Sequence, residues 1–414
     1  MTVSAPRGER VHLVDCTLRE GEQTPGVWLS AGEKLAILDR LAQAGVELAD
    51  VCVPAVSEEE LRFLARAARR SAGPAVGASL RLRLDEVELT SSSGCRHAFL
   101  IAPASRGHRE HRLGLDLAQL LSRVTEVVGA CVSRCIEPQL VAEDASRAEP
   151  AELARLLETG RTAGARRFFL CDTVGVWTPR RAAARVAEAL SVLGDDAQLG
   201  VHCHNDFGMA TANTIAAIEA GARWPTVTVN GIGERAGHAS LAEVAVACSE
   251  LLGLDPGIDL HQLLPLSEAI ERATGIPLAV QSPLIGPTAF RHESGMHVHG
   301  VLQSPATYEP IDPERLGQSR TIVVGKHTGS ALLRTIAGDE GLTVDDAIVE
   351  AALAAIKAER PAQRRRAFDE YSSARGRYLA QALGLPVEAA RQALLDAGAT
   401  SDEPLASSVR RSRG

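Results

Sequence analysis

His202 and His204 stand two residues apart in Val201-His-Cys-His-Asn-Asp206. Two imidazoles at that spacing can serve one metal ion only if both point the same way. A β-strand provides this, because residues i and i+2 share a face. Residues 197–201 are mostly apolar and end in a β-branched residue, whereas 209–221 read as a helix. The pair therefore falls where a strand ends and a helix is about to begin, which in an α/β barrel is the catalytic edge. Other polar clusters close other strand-like runs: residues 15–23, 143–147, 172–175 and 230–238. If these ends share one rim, two imidazoles and a carboxylate make a facial site for a divalent cation, with positions open to substrate oxygens.

The elements that must position these groups alternate regularly. Candidate strands are 11–17, 47–53, 75–80, 97–102, 136–141, 167–172, 198–204 and 226–231. Ala/Leu/Glu/Arg-rich segments such as 31–44, 58–70, 117–128, 151–163 and 179–193 lie between them. Pro179 after Thr178 suits the first turn of a helix. This α/β pattern predicts a (β/α)8 TIM barrel. An open doubly wound sheet is the competing architecture, but no G-x-G-x-x-G follows the first strand. Apolar residues make up 45% of the chain and aromatics 3%, so the core must be built from Ala, Val and Leu. Pro and Gly accumulate after Leu254. The predicted organisation is an N-terminal extension (1–10), a catalytic barrel (11–255) and a linker with an active-site lid segment (256–329). A smaller, mainly helical C-terminal region (330–400) and a disordered tail (401–414) follow.

A formal charge of −8 gives no reason to expect nucleic acid or a membrane surface as partner. Eight cysteines without a CxxC pair fit a reducing compartment, and Cys52, Cys171 and Cys203 read as small buried hydrophobes. No apolar signal region is evident at the N-terminus, so the expected location is the cytoplasm.

The polar clusters carry a specific resemblance. Asp15-Cys-Thr-Leu-Arg-Glu-Gly-Glu-Gln23 resembles the signature of the homocitrate and 2-isopropylmalate synthases, which condense acetyl-CoA with 2-oxo acids. His202-Cys-His-Asn-Asp-Phe-Gly-Met-Ala with Asn213, Asn230-Gly-Ile-Gly-Glu-Arg-Ala-Gly and Gly325-Lys-His-Thr-Gly are similar to further family motifs. The resemblance spans roughly residues 11 to 335. Ala142-Glu-Asp-Ala-Ser-Arg-Ala and Glu22-Gln-Thr-Pro-Gly-Val look most like the nitrogen-fixation-type homocitrate synthases.

The resemblance implies roles residue by residue. Glu20, His202 and His204 are the implied ligands of a divalent metal (Zn, Mn or Mg), and His238 occupies a position where some relatives place an Asn ligand. Arg19 is implied to sit over the ketone oxygen, where a fixed cation stabilises a developing alkoxide. Gln23, Glu143 and Thr173 match substrate-contacting positions. His297 matches the catalytic histidine and Tyr308 a supporting tyrosine. Their segment crosses to the partner protomer in homocitrate synthases, which implies a homodimer with shared sites. A metal would polarise the 2-oxo acid, a base in the His297 region would deprotonate the acetyl-CoA methyl group, and water would then cleave the thioester.

The strand-three residue that reads the acceptor's far carboxylate in lysine-pathway homocitrate synthases aligns with Arg83, or with its neighbour Arg81. An arginine there suits an anionic acceptor, with 2-oxoglutarate as the expectation. The alternatives are 2-phosphonomethylmalate, 2-isopropylmalate or citramalate synthesis by the same chemistry. A carbon–carbon lyase of the hydroxymethylglutaryl-CoA type is a further rival, although the glycine-rich loop cysteine of that family has no counterpart here.

Overall fold

In the computed structural model of the chain the apolar runs form eight parallel strands. They are β1 (Val14–Asp15), β2 (Leu48–Cys52), β3 (Ala75–Arg81), β4 (His97–Pro103), β5 (Glu137–Glu143), β6 (Arg167–Asp172), β7 (Gln198–Cys203) and β8 (Thr226–Val227). The structure describes residues 8–381 and 387–397. Strands follow one another in chain order from β7 down to β1, and β8 lies on the far side of β1. That order, with a helix after nearly every strand, is a TIM barrel. It leaves β7 and β8 as the last seam. The seam is drawn together by Arg223 and Trp224, whose backbone N–H groups donate to the Leu199 carbonyl at 2.9 and 3.2 Å. Thr226 Oγ1 donates to the Val201 carbonyl at 3.2 Å, and His204 and His238 form an isolated antiparallel bridge at the rim.

Three aromatics pack inside the barrel. Val14, Cys16, Leu48, Phe99 and Phe169 form an interior cluster. The rings of Phe99 and Phe169 lie 5.6 Å apart. Trp224 closes the floor, stacked on His12 at 4.2 Å and covered by the Arg167 guanidinium at 3.5 Å. Gly200 is required beneath them: a Cβ there would lie 1.9 Å from the Trp224 carbonyl oxygen and 2.7 Å from the Phe169 ring. The larger apolar layer, built mostly from Ala, Val and Leu, sits between strands and helices.

The surrounding helices are α1 (Ala31–Gln43), α2 (Glu58–Ala68), α3 (Leu84–Ser93), α4 (Arg106–Leu113), α5 (Leu117–Ser133), α6 (Pro150–Ala163), α7 (Pro179–Leu193), α8 (Ala210–Glu219) and α9 (Leu241–Glu250). Capping boxes start α1 (Ser30 with Glu33) and α5 (Asp116 with Gln119), and Pro179 opens α7 behind Thr178. The sequence does not predict α4. Its Arg-Gly-His-Arg-Glu-His-Arg run has no apolar face to betray it. It is set instead by the Ser105 cap and stopped by Gly114 in the left-handed region at φ +63°.

Beyond the barrel come α10 (Leu263–Thr274), β9 (Arg291–His292), α11 (Gly295–Gln303), β10 (Thr321–Ile322), α12 (Ser330–Asp339) and α13 (Asp346–Gln381). His297 and His299 lie on α11. The chain divides into two compact units, Met1–Gln363 and Arg364–Gly414, and the division falls inside α13. The described part of the second unit holds the end of α13 and α14 (Val387–Asp396). The predicted tail, 401–414, lies outside the described residues. Among the described residues no helix is long and apolar enough to cross a membrane.

Buried Glu309 ties the segment around β9 and β10 together. It accepts from Arg320 Nε at 2.8 Å and Nη2 at 2.6 Å and meets His292 Nε2 at 3.0 Å. The hydrogen bonds from Arg320 hold its carboxyl below the usual carboxylate range. A depressed carboxyl stabilises the fold above its unfolded pKa and loses that contribution as the pH falls through the folded value. Glu309→Gln is expected to cost about 2 kcal/mol near neutral pH. Thermal melts should show this deficit shrinking once the pH drops below about 4.3, the unfolded value. A deficit independent of pH would contradict the ion-pair account.

Candidate metal centre and catalytic cavity

The centre begins with how β1 ends. The buried Asp15 carboxylate accepts from Thr17 N at 2.9 Å and Thr17 Oγ1 at 2.8 Å, and burial pushes its pKa up to about 7. Thr17 Oγ1 in turn accepts from Val229 N at 2.8 Å, so the first turn after β1 is locked to the segment after β8. That turn delivers Arg19 and Glu20. Arg19 Nε donates to Asp50 Oδ2 on β2 at 2.7 Å, and Asp50 also accepts from Ser79 on β3 at 2.8 Å. Arg19 Nη1 donates to Glu20 Oε2. Burial opposes both charges, yet each sustains the other. Asp50 and Glu20 hold the guanidinium pKa above its ordinary value, and Arg19 with His204 holds Glu20 below its own.

Glu20, His202 and His204 converge from β1 and β7, each offering a ligand atom within 4.8 Å of the others. The two imidazole Nε2 atoms are 3.3 Å apart. Glu20 Oε2 lies 3.9 Å from His202 Nε2 and its Oε1 3.9 Å from His204 Nε2. Two nitrogens bound to one zinc-like ion at about 2.1 Å are themselves about 3.0–3.4 Å apart, so the spacing fits a shared cation. The hydrogen-bond network fits as well. Thr226 Oγ1 gives its proton to the Val201 carbonyl and therefore accepts from His202 Nδ1 at 2.9 Å. This assigns the tautomer whose Nε2 lone pair faces the cluster. Burial, with the neighbouring histidines, keeps His202 well below the ordinary imidazole value, and burial lowers His204 too. Both rings are thus neutral, as metal ligands must be.

His238 stands beside this group without joining it. Its ring is 4.1 Å from that of His202, but its Nε2 faces Thr226 Oγ1 at 3.3 Å and its Nδ1 has no partner. Burial, followed by His204, lowers its pKa to about 3. Among the described residues the convergent donors are three, and His238 is not one of them.

A cavity of about 580 Å³ opens over the cluster. Arg19, Gln23, Glu143, Thr173, His202 and His204 all line it, and Glu20 forms part of its wall. Thr173 Oγ1 also accepts from Asp144 N at 2.8 Å, which fixes the turn after β5. The sequence does not single out Asp50 or Arg112 and offers Arg235 only within the Asn230–Gly237 motif, yet all three line the same cavity. Asp50 has a signal in hindsight, an acid inside the apolar run of β2. Arg112 has none, because α4 itself is unpredicted.

Arg83 is not in the cavity. It caps the start of α3 and turns outward onto Asp85, donating from Nε at 2.9 Å and Nη2 at 2.6 Å. Of the two arginines that the sequence offers for this place, the chain leaving β3 presents Arg81 to the cavity and Arg83, two residues on and past the strand end, to solvent. Arg81 Nε is held by the buried Glu86 carboxylate, which also accepts from Arg81 N at 2.8 Å. Arg83→Ala should leave turnover near wild type, whereas Arg81→Ala should raise the acceptor KM by roughly 10- to 100-fold, the worth of one charge-assisted contact. Steady-state kinetics on the two variants decide between them, and the reverse order would restore Arg83 to the site.

His297 and Tyr308 stack on each other with ring centroids 4.1 Å apart, and neither is among the residues lining the cavity of this chain.

Comparison with known proteins adds context to this geometry. The HMGL-like family matches residues 10–270, and the family described as homocitrate synthase post-HMGL domain-like matches residues 284–364. A putative (R)-citramalate synthase of Methanopyrus kandleri is 40% identical over 338 residues, covering 82% of this chain and 66% of the relative. The chain thus spans about two thirds of the length of that relative. The homocitrate synthase AksA of the same organism is 39% identical, with 84% of this chain and 88% of the relative covered. A 2-isopropylmalate synthase of Sulfolobus acidocaldarius is 37% identical, with 84% and 90% covered. Among solved structures, an HMG-CoA lyase from Brucella melitensis superposes with a TM-score of 0.59 at 20% identity, covering 65% of this chain and 100% of that one. At that identity the likeness speaks to the fold alone.

Proposed function

The chain belongs to the HMGL-like family, and from that premise we propose that it is an acyltransferase condensing acetyl-CoA with a 2-oxo acid and hydrolysing the thioester, with 2-oxoglutarate as acceptor and homocitrate as product. The observation that carries this reading is the convergence of Glu20, His202 and His204 with the Arg19 guanidinium in one cavity. A divalent cation held by those three residues would supply Lewis-acid polarisation of the acceptor's ketone. The rest is work for the protein's own side chains.

Arg19 is immobilised by Asp50 and Glu20 and keeps its charge despite burial. It is a fixed cation where the ketone oxygen becomes an alkoxide, so it needs no reorganisation as charge develops. Gln23 and Thr173 offer hydrogen bonds to the acceptor from the rim. A base takes a proton from the acetyl methyl group, a carbon–carbon bond forms at the ketone carbon, and water cleaves the C–S bond to release the CoA thiol. The residue proposed for that proton is His297, with Tyr308 in support. Because this pair lies off its own chain's cavity, the reading includes a homodimer in which each copy supplies the pair to the other. Arg81, oriented by Glu86, favours an acceptor with a second anionic group. The reading places the enzyme in the cytoplasm.

Relatives carrying three product names match at similar identity, so the acceptor is the part to test first. Thiol release from acetyl-CoA would be followed with 2-oxoglutarate, 2-oxoisovalerate, pyruvate and phosphonopyruvate, each with and without chelator. Chelator-sensitive release with 2-oxoglutarate is the expected result. Release only with another acceptor would keep the chemistry and change the product. No release with any acceptor would refute the condensing reading and favour a lyase.

A further inference from the structure

α4 brings a second arginine to the cavity. Arg112, at the C-terminal end of that helix, grips Glu143 with both arms of its guanidinium. Nη1 donates to Oε1 at 2.8 Å and Nη2 to Oε2. Both carboxylate oxygens at the end of β5 are therefore occupied, although Glu143 faces the cavity where substrates must bind.

The two partners are not equally fixed. The Glu143 side chain is 14% exposed and the Arg112 side chain 49%. The helix beneath Arg112 is itself anchored. Buried Arg109 reaches Glu152 at 3.0 Å, and the capping Ser105 donates to Asp144. The side chain that can swing without disturbing the fold is thus that of Arg112. The β4–β5 sector where it stands also lies across the barrel mouth from β8 and β1, so it faces the far end of a ligand held at the metal centre.

We propose that the Arg112–Glu143 pair is a substrate-released latch that sets acceptor specificity. This inference rests on the condensing reading above. An acceptor with a distal carboxylate or phosphonate draws Arg112 onto itself, exchanging one anion for another on the same fork. Glu143 is then free to contact the substrates. An acceptor with an apolar or absent distal group offers nothing in exchange, and Arg112 stays on Glu143. Specificity comes as much from this withheld carboxylate as from a favourable contact.

The test compares wild type, Arg112→Gln and Arg112→Lys in thiol release with 2-oxoglutarate and with 2-oxoisovalerate. Thermal midpoints establish that the variants are folded. Arg112→Gln is expected to lower kcat/KM for 2-oxoglutarate roughly 10- to 100-fold, the worth of a charge-assisted contact. It should also raise kcat for 2-oxoisovalerate, because Glu143 is no longer held. Arg112→Lys, which keeps the charge without the fork, should fall between wild type and Gln for both acceptors. An equal loss on both acceptors would make Arg112 a mere support for Glu143 and overturn the latch. So would an unchanged ratio, or a wild-type preference for 2-oxoisovalerate. Failure of the condensing reading looks different, since wild type would then release no thiol with any acceptor.

Discussion

His204→Ala is expected to give a folded protein that binds no metal and releases no measurable thiol. The expectation follows from how few donors converge. His204 Nε2 is 3.3 Å from its partner nitrogen and 3.9 Å from Glu20, and its removal leaves one imidazole and one carboxylate. That carboxylate already answers Arg19, so little remains to hold a cation. Losing Lewis-acid stabilisation of several kcal/mol corresponds to a fall in kcat of at least about 10³-fold. Glu20→Ala should behave the same way. Elemental analysis of metal content alongside turnover makes the test, with circular dichroism as the check on folding. Cys203→Ala is the contrast. Its side chain lies on the opposite face of β7, against Thr214, and its loss should touch stability but not metal content. Full metal occupancy in His204→Ala would remove the basis for the centre.

The second large effect is expected at Arg19. Lysine there keeps the charge but not the fork, and no single ammonium can serve Asp50 from Nε and Glu20 from Nη1 as the guanidinium does. Arg19→Lys is expected to lower kcat by roughly 10²–10³-fold, as for loss of one preorganised oxyanion donor, with metal still bound and the acetyl-CoA KM little changed. Lysine is the informative choice because a neutral residue would strand the buried Asp50 and confuse catalysis with folding. Near-normal kcat in Arg19→Lys would mean that position and charge suffice and that the fork is structural.

Much of this arrangement is readable in the residues, and the misses share a cause. Strands β2 to β7 announce themselves because burial on both faces leaves apolar runs bounded by turn residues. The His202 and His204 pairing follows from the two-residue strand period, and Arg19, Glu20, Gln23, Glu143 and Thr173 lie at strand ends, where a barrel collects them. Arg83 fails on the same rule. Period two keeps Arg81 and Arg83 on one face only while the chain remains a strand, and β3 stops at Arg81. α4 is invisible because its apolar stripe is missing, so Arg112 is hidden with it. His238 lies beside the centre, but which way its ring turns depends on Thr226 in β8. Side-chain orientation set by a partner distant in the chain leaves no local trace.

The seam between β7 and β8 gives the centre a second meaning. The strands on either side of it carry the residues that gather at the rim: His202 and His204 on one edge, Thr226 and His238 on the other. Glu20, arriving from β1, is tied to the loop after β8 through the Glu234 N–H at 3.1 Å. An ion bound by Glu20 and the two histidines therefore rivets the first and seventh staves of the barrel across the eighth. A folded chain that binds metal gains stability by mass action, about 2.7 kcal/mol when free metal stands at a hundred times its Kd. Heat tolerance then becomes a reading of metal supply.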